Sequence, residues 1–226
     1  MSLQDWQAIR LTLSLAFYTV IILLVIGLPL AWIIANYQGA LRPVIETIIA
    51  LPLVLPPTVL GFYLITAFSP DTWLGQLWIE IVGGQFVFSF TGILVGSIIY
   101  SLPFVMQPLI AAFSSISKGP QLSAITLGMP FYYRFWYVVL PMAKPSIITA
   151  STLGFAHTLG EFGLLLMIGG NIPGSTQVVS IALFNYVETL EYDAAHRLAL
   201  LLMMFSFISL FLLYKFNRPK YLLTDE

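Results

Sequence analysis

The chain has 226 residues, of which 59% are hydrophobic and 8% charged, with a mean hydropathy of +0.93. A soluble domain carries about 25% charged residues, so this composition leaves too little polar surface for a water-soluble globule, and the excess apolar surface must face lipid or a partner. A net charge of −1 gives a nucleic-acid partner no electrostatic basis, and the absence of cysteine excludes disulfides, thiolate nucleophiles and cysteine metal sites.

A membrane-crossing helix needs about 20 mostly apolar residues, and five segments meet that need. Leu11–Ala35 contains no charge, and is too long for a signal peptide. It also lacks a basic start and a small-residue cleavage site, so it reads as a retained first span. Residues 47–69 form the second span, closed by Asp71. The third lies at 90–112, between Gly83-Gly84 and the polar segment Ser114–Gly119. The fourth runs from about Pro145 to Ile168 with one acid inside, and the fifth from Leu198 to Tyr214. Buried helices of a large soluble protein need amphipathic partners to cover them, and these five stretches leave none. The expected fold is an all-α integral membrane bundle, one domain over residues 1–226.

The nine basic residues set a direction. With the first loop, the 114–144 segment and the C-terminus on one side, that side holds Arg42, Lys118, Arg134, Lys144, Lys215, Arg218 and Lys220. The other holds Arg10 and Arg197, with the acids Asp71, Glu80, Glu188, Glu191 and Asp193. The positive-inside rule makes the first side cytoplasmic. The N-terminus is then outside and the C-terminus inside, as an odd number of spans requires.

Four stretches carry chemistry. Leu51–Pro57 places Pro52, Pro56 and Pro57 inside the second span, where interior prolines remove backbone hydrogen bonds and should kink or interrupt the helix. Such a break either lines a pathway or is a packing kink. In the 114–144 segment a short helix is expected from Pro120 to Leu127, stopped by Gly128 and ridged by Leu122, Ile125 and Leu127. An apolar ridge facing the cytoplasm suits a partner. The aromatic run Phe131–Tyr137 suits the membrane surface. In the fourth span His157 and Glu161 stand four apart and so share one helix face, and a histidine–carboxylate pair is expected. Such a pair is either functional or a lock between helices, with Gly160 and Gly163 allowing close approach. Residues 169–174 form a turn, and residues 176–190 either lie at the outer surface or re-enter the bundle.

No phosphate-binding glycine loop, His-Glu-x-x-His motif or Gly-x-Ser-x-Gly elbow occurs in the sequence. With only His157 and His196, a zinc site has little support. No metal site and no catalytic residues are therefore expected.

The pattern Ala124, Leu127-Gly128, Leu140-Pro141 resembles the cytoplasmic "EAA" loop of ABC-importer permeases. Leu51–Pro57, the run Leu159-Gly-Glu-Phe-Gly163, residues 170–174 and residues 88–92 resemble the oxyanion branch of that family, above all the permease subunits of molybdate importers. The resemblance covers nearly the whole chain. It implies a type I ABC importer permease that works as a homodimer. The partners implied are an external molybdate-binding protein and a cytoplasmic dimer of ATP-binding subunits. The permease itself binds no cofactor, ATP and magnesium being used by the ATPase. The residues expected to meet the ATPase are Gln121, Leu122, Ser123, Ala124, Ile125 and Gly128. The family loop begins with glutamate, which this chain replaces with Gln121 and Leu122, so apolar docking through Leu122 and Ile125 is expected instead. Relatives often carry arginine where this chain has His157.

The function expected is import of molybdate by alternating access. The same machinery for tungstate or sulfate is the alternative, and an ATP-independent channel or secondary carrier is the rival class. Pathway or gate candidates are Pro52, Pro56, Pro57, Thr58, Ser151, Thr152 and Thr158. Glu161 is expected to point sideways into packing or a gate, because a dianion needs donors rather than a carboxylate.

Overall fold

A computed structural model describes residues 1–116 and 118–216, and every regular element among them is helical. Arg218 and Lys220, two of the residues used to set the direction, lie outside the described residues, as does Ser117.

Helix α1 spans Leu3–Asn36. It starts with a reciprocal cap: Ser2 Oγ accepts from the Asp5 N–H at 3.1 Å, and the Asp5 carboxylate accepts from the Ser2 N–H at 2.6 Å. At 1.5 Å per residue its 34 residues reach about 50 Å. The hydrocarbon core is about 30 Å thick, so α1 is longer than a perpendicular crossing needs.

The second span is broken. Helices α2 (Arg42–Val54) and α3 (Pro57–Ala67) meet at 110° across Leu55-Pro56. Pro56 and Pro57 cannot supply the N–H groups that would carry the ladder across, and Pro57 instead opens α3 as its first residue. A short apolar helix α4 (Trp73–Val82) follows, which the sequence reading did not anticipate. Thr72 caps it, accepting from the Gly75 N–H at 3.0 Å.

Helix α5 (Phe90–Ser115) packs on α1, α2 and the later α9. It runs three residues beyond the expected 112, so Ser114 belongs to the helix rather than to a flanking loop. Helix α6 (Lys118–Thr126) begins and ends slightly before the Pro120–Leu127 expected. Gly128 stops it in the left-handed region at φ +76°, its N–H bonded to Ile125 O at 2.9 Å. Helix α7 (Phe131–Arg134), a π-helical turn (Phe135–Val139) and α8 (Leu140–Met142) form one rod that meets α9 (Lys144–Leu159) at 75°.

The expected fourth span, Pro145 to Ile168, is not one helix. α9 stops at Leu159, and a second helix, α10 (Gly163–Gly169), starts after the Gly160-Glu-Phe link. Helix α11 (Val179–Glu188) packs on α1 and on the last helix, α12 (Tyr192–Phe216). Among the described residues α1, α5 and α12 are long and apolar enough to cross a membrane alone, and counting each bent pair, α2 with α3 and the α7–α8 rod with α9, as one span brings the number to five.

Of three apolar clusters among the described residues, two stack along the bundle and the third, around Ile9 and Leu198, ties α1 to α11 and α12. One of the stacked two joins Leu23 and Trp32 of α1 with Val105, Met106 and Leu109 of α5, then Phe135, Val139 and Ala150. The other joins Leu15 of α1 with Ile93 of α5, Leu164 and Ile168 of α10, and Val178 and Ile181 around α11. Where α9 passes α5 the backbones approach closely. A Cβ at Gly154 would lie 2.6 Å from Val105 Cγ2, so only glycine fits there.

Candidate functional site

Between those two cores the helices carry polar residues. On α1, Thr19 falls between Leu15 and Leu23; on α5, Ser97 and Ser101 fall between Ile93 and Val105; on the α9–α10 link lie His157, Thr158 and Glu161. Thr19, Ser97, Ser101 and Thr158 are buried, and Glu161 is 4% exposed. A polar layer at this depth is costly unless its members satisfy one another.

The expected His157–Glu161 pair is not made. α9 ends at Leu159, so the two side chains do not continue on one helix face. Each instead takes a serine of α5. Ser97 Oγ donates to Glu161 Oε2 at 2.6 Å, and Ser101 Oγ bonds His157 Nδ1 at 2.9 Å. Ser101 Oγ also lies 3.1 Å from the Thr158 hydroxyl. The serines are themselves four apart, one helical turn, and that matches two partners standing where α9 gives out. His157 stacks on Phe104 with centroids 3.9 Å apart. The Ser180 hydroxyl at the start of α11 donates to the Glu161 carbonyl at 2.6 Å. The α9–α10 break is thus tied to α5 and to α11. Glu161 points into helix packing, and its Oε1 finds no hydrogen-bond partner among the described residues.

The remaining pathway candidates do not gather in one place. Ser151, Thr152 and Thr158 donate to the carbonyls of Ile147, Ile148 and Gly154, one turn back on their own helix. Helical hydroxyls in an apolar setting find their nearest acceptor there. Ser151 and Thr152 border a groove with Phe17 and Ile21 of α1 and Leu212 of α12. Pro56 and Thr58 are exposed at the α2–α3 break, Pro57 is half-buried and Pro52 is buried. A Cβ at Gly163 would touch Pro57 Cβ at 3.4 Å, so the two broken spans meet at their breaks.

The segment after α5 presents its ridge. Leu122, Ile125 and Leu127 are 58%, 49% and 82% exposed, and Ser123 and Gly128 are exposed with them. Gln121 is half-buried, and Ala124 is buried toward the π-helical turn. The aromatic run divides. Phe131 and Phe135 stack on Trp32 of α1 at 4.0 and 4.9 Å, fastening the segment to the bundle. Tyr132, Tyr133, Trp136 and Tyr137 remain exposed. Beside the segment a cleft of about 640 Å³ lies between α2 and α5, its lining part polar (Arg42, Glu46, Gln107) and part apolar (Ile49, Ile110). Arg42 pairs there with Glu46 at 2.8 Å.

Sequence reasoning missed Ser97 and Ser101. Their signal was present: two hydroxyls four residues apart in a charge-free span, matching the spacing of His157 and Glu161.

Helix breaks that meet where Gly163 faces Pro57, a buried polar layer bonded across α5 and the α9–α10 link, and a short helix with an exposed apolar ridge fit a membrane subunit of a transporter. The chain matches the family described as binding-protein-dependent transport system inner membrane component over residues 27–222, and it belongs to that family. It is 50% identical over 220 residues to the molybdenum transport system permease protein ModB of Azotobacter vinelandii, covering 97% of each chain. It is 32% identical over 211 residues to a probable sulfate transport system permease protein of Marchantia polymorpha, covering 92% of this chain and 72% of the relative. Among solved structures, a bacterial alginate ABC transporter in complex with its alginate-bound periplasmic protein shares the fold. The TM-score is 0.78 at 19% identity, over 96% of this chain and 80% of that one.

Proposed function

We propose that this chain is the membrane subunit of an ATP-driven importer for molybdate. The observation that carries the anion is the 50% identity to the Azotobacter permease across 97% of both chains. At lower identity the anion is not separated: the molybdenum permease of Escherichia coli K12 stands at 29% and the Marchantia sulfate permease at 32%. Sulfate is therefore the second reading.

In this reading two copies of the chain form the pathway, and an external binding protein delivers the anion. A cytoplasmic ATPase dimer supplies the energy, since the chain offers no phosphate-binding loop of its own. The exposed ridge of α6 meets the ATPase through Leu122 and Ile125, where apolar contact replaces the family's glutamate. The side bearing α6 is cytoplasmic and the α1 N-terminus is external. The proline break between α2 and α3, with Thr58 exposed beside it, is the gate region. The polar layer holds the α9–α10 break in register as the bundle changes state.

The test is uptake of labelled molybdate by cells whose own importer genes are deleted, carrying this chain with its ATPase and binding protein. Restored high-affinity uptake, unaffected by a hundredfold excess of sulfate, supports molybdate. Uptake abolished by sulfate favours the second reading.

A further inference from the structure

One face of α1 carries a polar stripe that neither the core nor the break uses. Gln7, Arg10, Ser14 and Tyr18 follow one another at spacings of three, four and four residues, one face of a helix. They line a cleft of about 380 Å³, closed by Phe90 at the start of α5 and by Gly174 of the turn after α10. Tyr18 meets Phe90 edge-on with centroids 6.4 Å apart. Gly174 sits in the left-handed region at φ +76°, and a Cβ there would lie 3.3 Å from Gln7 Oε1. The turn thus closes directly over the stripe.

Arg10 is the one charged group of the lining and no carboxylate lines the cleft, while Gln7, Ser14 and Tyr18 can each donate a hydrogen bond as well as accept one. The acid at this end of the helix, Asp5, is turned elsewhere and accepts from the Ser2 N–H at 2.6 Å and the Tyr186 hydroxyl at 2.8 Å. Arg10 makes no ion pair among the described residues. Ser14 also differs from Thr12, Ser151, Thr152 and Thr158, which return their hydroxyls to a carbonyl one turn back. Among the described residues the Ser14 hydroxyl has no such bond and borders the cleft. A cation with no carboxylate beside it, flanked by side chains able to donate, suits a tetrahedral dianion, whose four oxygens accept from several directions.

We infer that this cleft is an external landing site for a tetrahedral, doubly charged oxyanion, with Arg10 as its charged anchor and Gln7, Ser14 and Tyr18 as neutral donors. The inference rests on the importer reading and on the N-terminus lying outside. It adds the place where the anion first meets the permease after its binding protein releases it. One charge and three neutral groups suit a hand-over step, in which binding must be favourable enough to enter and weak enough to leave.

The experiment uses the full complex in proteoliposomes, with labelled molybdate on the loaded binding protein. Arg10→Gln is expected to cut uptake about tenfold, the loss of one charge-assisted hydrogen bond. Arg10→Lys should recover part of it, and Ser14→Ala should cost about threefold. ATP hydrolysis stimulated by the binding protein should keep its wild-type rate in each variant. Wild-type uptake by Arg10→Gln overturns the site. A parallel loss of binding-protein affinity also overturns it, making the cleft a protein-docking surface, and dissociation of the permease dimer would make it a contact between copies. Failure of the wild-type complex to take up molybdate, tungstate or sulfate overturns the importer reading along with the site. Wild-type uptake with an indifferent Arg10 overturns the site alone.

Discussion

Ser97 of α5 donates its hydroxyl proton to Glu161 at 2.6 Å, across a break where one helix ends and another begins. The carboxyl group is 4% exposed, and the described residues hold no cation within ion-pair distance of it. Glu161 therefore acts as an acceptor for its neighbour and not as half of an ion pair. Glu161→Gln keeps a carbonyl oxygen for Ser97 and is expected to retain folding and most transport. Glu161→Ala strands the Ser97 hydroxyl and leaves a cavity, and should cost about 2–4 kcal/mol. Thermal unfolding in detergent, read beside uptake, checks both. Equal loss in the two variants contradicts the acceptor role.

The α2–α3 break depends on Pro56 and Pro57. Replacing both with alanine restores the missing N–H groups and lets a helix run across Leu55. The double variant is expected to fold and reach the membrane, with uptake reduced at least tenfold. Wild-type uptake in that variant would show the break to be a packing kink.

The ridge on α6 separates coupling from folding. Leu122 and Ile125 are exposed, and exposed substitutions usually change stability by about 0.5 kcal/mol or less. Leu122→Asp with Ile125→Asp should leave the melting temperature of the isolated chain unchanged and abolish co-purification of the ATPase. Ala124, buried behind the ridge, is different: Ala124→Leu should destabilise the segment by about 1–3 kcal/mol through overpacking.

Close approach of α9 to α5 gives a sharper structural prediction. A Cβ at Gly154 lies 2.6 Å from Val105 Cγ2. Gly154→Ala should therefore lower thermal stability by about 1–3 kcal/mol. Pairing it with Val105→Ala, which clears the space, should recover part of the loss.

The direction of the chain is testable because it contains no cysteine. Single cysteines at Ser2 and Leu127 would be the sole thiols. An impermeant maleimide added to intact spheroplasts should label Ser2→Cys and spare Leu127→Cys. The opposite pattern reverses the topology.

The membrane character, the positions of the charge-free stretches and the proline break were legible because each follows from a local rule: apolar length, or a missing N–H. The glycine stop of α6 was legible for the same reason. The end of α9 at Leu159 was not. The run around Gly160 is apolar enough to read as one span, and the break is stabilised by partners distant in sequence, Ser97 on α5 and Ser180 on α11. His157 and Glu161 were singled out by residue type, and both lie in the polar layer beside α5. Assigning them to each other failed because the four-residue rule holds only inside a continuous helix. Ser151, Thr152 and Thr158 illustrate a further limit: a hydroxyl on a span has its own helix as nearest acceptor, and residue type alone does not show which way it turns.

The central claim is that this chain carries molybdate when driven by a partner ATPase. The most direct measurement is uptake of labelled molybdate into proteoliposomes containing the chain and its ATPase, with loaded binding protein outside and ATP inside. The account predicts accumulation that requires ATP and the binding protein, and that persists in excess sulfate. Uptake that proceeds equally without ATP would contradict it.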